Sequence, residues 1–191
     1  MKRRLLPILM TLVLVCALPI WAAFVTSGDV TDPLVSTAEA SEPLKLEEVS
    51  TADDLRAKIT NGKSVKLMAD ISITSTLEIA KSLTLDLNGH VLKMTGSGSV
   101  LRVKKDPHPA PLTITDSSAA KSGTITGGTG TKEEYWTHYT LGGAVYLEEG
   151  TTLKLEGGTI TGSSSDSSVF IRTGATFVMT GGTITGETVG V

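Results

Sequence analysis

Tyr135, Trp136 and Tyr139 crowd into one polar segment, Gly127–Gly143, of a chain in which aromatic residues make up only 4%. Rings on a polar loop suit stacking on the C–H face of a sugar or docking to a protein partner. Tyr146 and Phe170 follow the segment, and Arg102 and Arg172 carry guanidinium forks able to select acidic sugars through paired hydrogen bonds. The expected ligand-binding set is therefore Tyr135, Trp136, Tyr139, Tyr146, Phe170, Arg102 and Arg172, with an at least partly exposed Trp136 as the main contact. The alternative is that the rings fold back over the chain as a satellite cluster.

Catalysis on polysaccharides needs a different constellation. Hydrolysis uses two carboxylates at a defined separation, and calcium-assisted elimination uses an acidic cluster beside a basic side chain. The acidic residues do not concentrate in this way: Glu148-Glu149 reads as a solvated corner, and His90, His108 and His138 fall in unrelated turns. Cys16, the one cysteine, lies in the apolar N-terminal stretch, which leaves no thiol for a disulfide or metal site beyond it. No catalytic residue, metal or cofactor is expected. A net charge of −3 argues against nucleic acid as partner.

What must position these side chains is a repeat. Val145, Leu147, Gly150, Leu153, Leu155, Gly157, Gly158 and Ile160 return as Val169, Ile171, Gly174, Phe177, Met179, Gly181, Gly182 and Ile184, each 24 residues on (169 − 145 = 24). Apolar and polar residues alternate within each copy, which is strand spacing, and glycine corners divide each copy into three short strands. Such a unit is one turn of a solenoid. Leu77 and Ile79 stand 24 residues before Leu101 and Val103, which precede Val145 and Leu147 by 44 because of insertions. Leu85 with Leu87, Leu92 with Met94, Leu112 with Ile114, and Ile125 fill the remaining strands. Val65, Leu67, Ile71 and Ile73 supply a partial first turn, which makes about four to five turns in all.

The register predicts outward columns: Glu78, Arg102, Tyr146 and Phe170; Lys104, Glu148 and Arg172; Asp86, Thr113, Lys154 and Val178; and Thr124/Thr126, Thr159/Thr161 and Thr183/Thr185. Threonine ladders on flat solenoid faces occur in some ice-binding proteins, but threonine is also simply a good outward strand residue, and that reading is preferred.

Lys2-Arg3-Arg4 and the apolar stretch Leu5–Val25 read as an export signal, with Ala38-Glu39-Ala40 before Ser41 as the better cleavage site. An uncleaved signal anchor is the alternative, and is the only membrane contact expected. The chain thus divides into a signal and leader (1–40), a linker with a short cap helix over Ser50–Ile59 (41–64), and a β-solenoid (65–191). Residues 26–48 read as irregular.

The segments "TADDLRAKITNGKSVKLMADISITSTLEI", "LTLDLNGHVLKMTG", "SGTITGG", "GGAVYLEEGTTLKLEGGTITG" and "GATFVMTGGTITG" resemble the right-handed parallel β-helix, pectin-lyase-like repeat regions of bacterial cell-surface and adhesin-type proteins. The resemblance spans about residues 50–191 and implies an all-β right-handed parallel β-helix with an N-terminal capping helix. It also implies a secreted or cell-surface location and a non-catalytic module for adhesion, whose partner is a surface glycan or protein. A fragment of a polysaccharide lyase or hydrolase, and a structural stalk segment, are the other two readings. The last strands carry no polar cap, so self-association through the C-terminal end, or continuation into a longer parent chain, is expected.

Overall fold

Alternation of apolar and polar residues over three or four positions is too short to hold a strand by itself, and each strand of the three parallel sheets is stabilised by neighbours from other passes. The computed structural model describes residues 45–105, 109, 111–132, 140–162, 167–186 and the backbone of 188–190. These lie within the unit Ser41–Val191. Among the described residues the fold is mostly β, with three parallel sheets and one helix.

Sheet I holds Glu47–Val49, Val65–Leu67, Leu83–Asp86, Pro111–Thr115, Thr152–Leu155 and Thr176–Met179 in that spatial order. Sheet II holds Leu77–Ile79, Leu101–Val103, Val145–Leu147, Val169–Ile171 and Thr188–Gly190. Sheet III holds Ile71–Ile73, Val91–Met94, Thr124–Gly127, Thr159–Thr161 and Thr183–Thr185. From Val65 onward the chain visits sheets I, III and II in the same sequence five times. Neighbours are in register across passes, with Leu153 between Leu112 and Phe177, Ile160 between Ile125 and Ile184, and Val145 between Leu101 and Val169.

The inward positions build one continuous apolar core in which Leu85, Leu112, Ile114, Ile125, Leu153 and Ile160 are wholly buried. At roughly 25 cal/mol per Å² this burial is the main favourable contribution, and each side chain obtains it from the passes above and below. The 24-residue period is thus the length of one pass between equivalent strands of the same sheet.

The helix, α1, runs Ala52–Thr60. Thr51 caps it, its Oγ1 accepting from the Asp54 N–H at 3.3 Å, and Asp53 and Asp54 sit at the positive end of the helix dipole. Leu55 and Ile59, one helical turn apart, are buried in the core.

Two local expectations fail. Residues 26–48 were expected to be irregular, yet Glu47–Val49 forms a strand parallel to Val65–Leu67, with Val49 buried. Three residues carry too little periodicity to mark a strand. Asp86 also stands opposite Thr115, and it is Thr84 that faces Thr113. Leu83, Leu85 and Leu87 are all buried, so the alternation continues past the strand into the corner and hides the strand's end.

Candidate functional site

The expected column on the outer side of sheet II forms: Glu78 pairs with Arg102, Arg102 with Tyr146, and Tyr146 with Phe170. Its accessibility differs from expectation. Tyr146 is wholly buried and Phe170 nearly so, and with Leu141 they make a second apolar cluster outside the main core. The two rings lie 5.2 Å apart between centroids and are tilted by 36°. The Arg102 guanidinium carbon stands 5.3 Å from the Tyr146 ring centre, within cation–π range.

Leu141 reaches this cluster because the segment between sheets III and II turns back on itself. Thr131–Lys132 and Thr140–Leu141 pair as a two-stranded antiparallel stem. The stem is tied to the preceding pass: Thr129 N–H donates to Gly98 O at 3.0 Å, Gly98 N–H donates to Thr129 Oγ1 at 3.1 Å, and the Ser99 and Thr131 hydroxyls lie 2.8 Å apart. At the other side Gly142 donates to Ser167 Oγ at 3.0 Å and Gly143 to Ser167 O at 2.8 Å. Gly142 has φ +63°, and a Cβ there would stand 2.4 Å from Val145 O, so only glycine admits this return. Tyr135, Trp136 and Tyr139 lie between the two stem strands in sequence and outside the described residues.

Arg102 is already committed. Its Nε donates to Glu148 Oε1 at 2.7 Å, and Lys105 N–H donates to Glu148 Oε2 at 2.8 Å. Lys104 Nζ lies 3.6 Å from Glu148 and 3.8 Å from Glu78, and Lys105 pairs with Glu149 at 2.9 Å. Burial raises the Glu148 pKa, but the Lys105 N–H, Arg102 and Lys104 outweigh it and hold the carboxyl below its ordinary value. Glu148 was expected to be part of a solvated corner, whereas its side chain is only 12% exposed and fastens the start of one insertion, Lys104-Lys105, to the next pass. Arg172 is exposed.

Of the expected set, the structure therefore brings Arg102, Tyr146 and Phe170 together, but as a closed packing unit. The Arg102 side chain is 30% exposed and held by Glu148, whereas Tyr146 and Phe170 are buried and, contrary to expectation, offer no accessible ring face. Leu141, the apolar residue of the return strand, was the available sign that something would cover them.

A second polar centre, at the corner after sheet I, had not been singled out. Asp116 is buried and accepts from three backbone N–H groups, Gly89 at 2.9 Å, Ser118 at 3.0 Å and Gly123 at 2.6 Å. Asp86, equally buried, accepts from Asn88 and Ser117 at 2.9 and 2.8 Å. Burial pushes the Asp116 pKa up, but these backbone N–H groups outweigh it and lower the value. Both aspartates are buried and fix loop backbone. His90 pairs with Asp70 at 3.2 Å, while His108 and His138 lie outside the described residues. Among the described residues there is no group of three metal-ligating side chains, and no helix is long and apolar enough to cross a membrane.

No protein-family model, curated protein sequence or solved structure matches the chain.

Proposed function

We propose that this chain is an exported, extracellular or cell-surface binding module that engages a surface glycan or protein partner through residues 133–139. In this reading the three parallel sheets are the faces of a right-handed parallel β-helix. Right-handed connection is the strongly preferred sense for parallel strands joined by crossovers, and α1 closes the N-terminal end. The observation that carries the reading is the fixed stem. The chain spends a paired two-strand base, a glycine-dependent bend at Gly142 and an apolar anchor under Leu141 on holding the ends of a segment rich in aromatic residues. A rigid base presenting a short loop is the usual way a scaffold carries a recognition surface. Tyr135, Trp136 and Tyr139 are the contact residues in this proposal, Tyr146 and Phe170 support the stem, and Arg172 is an exposed cation just after the strand that carries Phe170. Module action is non-catalytic and requires no cofactor.

A glycan-array screen of the full chain, beside a variant that replaces residues 133–139 with a two-residue Asn-Gly turn between the stem partners Lys132 and Thr140, tests it. The full chain should bind a restricted set of glycans and the shortened variant should lose them while keeping its circular dichroism spectrum. Equal binding by both would overturn the proposal. The stalk reading draws on one observation of its own: Arg102, Tyr146 and Phe170 are consumed by internal packing. It predicts no binding by either protein.

A further inference from the structure

A cavity of about 480 Å³ lies between α1 and the first two passes, at the corner where the chain crosses from sheet III to sheet II. Sites for small molecules have roughly this size, about 300–1,000 Å³. Arg56 of α1 ties the helix to the first corner: Nη1 donates to Thr76 O at 2.9 Å, and Nη2 donates to Ser75 O at 2.8 Å and to Ser75 Oγ at 2.9 Å. The Nε–H takes no part in these bonds. Ser97, from the same corner one pass on, completes the lining. Gly96 permits that approach, since a Cβ there would stand 1.9 Å from Thr74 O.

The lining offers little to an apolar ligand. Ile59 and Leu77, its apolar members, are each 1% exposed and belong to the core. The rest is polar: the hydroxyls of Thr74, Thr76 and Ser97, the Arg56 guanidinium, and Glu78, whose side chain is 60% exposed. A guanidinium only donates, a carboxylate only accepts, and a hydroxyl does both. An anion would gain Arg56 but meet Glu78, and a cation would meet the reverse. Lys104, 3.8 Å from Glu78, is not a lining residue and is also held by Glu148 at 3.6 Å, so Arg56 and Glu78 balance within the cavity.

We propose that this cavity is a binding site for one neutral sugar ring. Each sugar hydroxyl is both donor and acceptor, so it can accept from Arg56 and donate to Glu78 or to a threonine oxygen without leaving either charge unmatched. The rigid helix and the backbone-tied corner hold these groups in place before the ligand arrives. Exchange of water for sugar hydroxyls gains little per hydrogen bond, which sets the affinity in the millimolar range. The inference is independent of what the 133–139 loop binds.

Amide chemical shifts of the isotope-labelled full chain read this directly. At millimolar concentration at least one of glucose, galactose, mannose and N-acetylglucosamine should shift the amides of Ser75, Leu77 and Ser97 saturably, and glucuronate should not. Ser97→Trp, at an exposed position, should fill the cavity and abolish the shifts without changing the circular dichroism spectrum. Trp136→Ala should leave them intact, which separates this site from the 133–139 loop. The proposal is overturned if none of the four neutral sugars shifts these amides, or if glucuronate shifts them as strongly. Shifts that survive Ser97→Trp, or that vanish in Trp136→Ala, would overturn it as well.

Discussion

The outer sides of sheets II and III are built on the same period and in the same register, yet the rings of one are buried while the threonines of the other reach the surface. On sheet II the column of Arg102, Tyr146 and Phe170 lies under the stem that ends at Leu141, and its rings are buried. On sheet III Thr124, Thr159 and Thr183 align just as closely, and all three are half-buried or exposed. The strand pattern decides which residues face outward. The insertions decide which outward residues meet water.

That contrast can be broken by substitution, most severely at the covered column. Tyr146→Ala should destabilise by about 3–5 kcal/mol, the usual range for deleting a buried aromatic side chain, because it removes the partner of Arg102, Phe170 and Leu141 together. Chemical denaturation measures this, and a cost near that of a surface change would mean that the stem does not cover the ring. Next come the corners that keep the passes in register. Gly182 has φ +78°, and a Cβ there would stand 2.6 Å from Gly158 O. Gly182→Val should therefore cost about 1–3 kcal/mol, seen as a lowered thermal midpoint.

Acid should act through the buried carboxylates. The Asp116 and Glu148 pKa values are lowered in the folded chain. Their contribution is thus fully present above the unfolded values of about 4 and is lost as pH falls through the folded values. The thermal midpoint should drop as pH falls below about 4, and Asp116→Asn should flatten that drop while lowering stability at neutral pH. A pH-independent midpoint down to the most acidic conditions would contradict the hydrogen-bonding at this corner. The smallest effect belongs to the uncovered column, where Thr161→Val should stay within about 0.5 kcal/mol of the parent.

Much of the architecture was legible because like residues stack on like. Val145 above Val169, Ile160 above Ile184 and the outward line from Glu78 to Phe170 follow from spacing alone. What escaped has local causes. Glu47–Val49 is too short to show a period, and Leu87 continues the alternation beyond its strand, so that Asp86 was aligned with Thr113 in place of Thr84. The candidate site was legible as a neighbourhood and misread in its exposure, because the fold of an insertion is not periodic. Leu141, contributed by a two-residue strand, joins Tyr146 and Phe170 in a buried cluster outside the main core. Asp116 was invisible for the opposite reason: its partners are backbone N–H groups, which any sequence provides.

If the stem holds the loop and the loop does the binding, stability and recognition should separate cleanly at one residue. Trp136→Ala in the full chain, assayed in parallel for glycan-array binding and thermal midpoint, tests this most directly. The account predicts that binding is lost while the midpoint stays with the parent and well above that of Tyr146→Ala. Intact binding, or a midpoint as low as that of Tyr146→Ala, would contradict it.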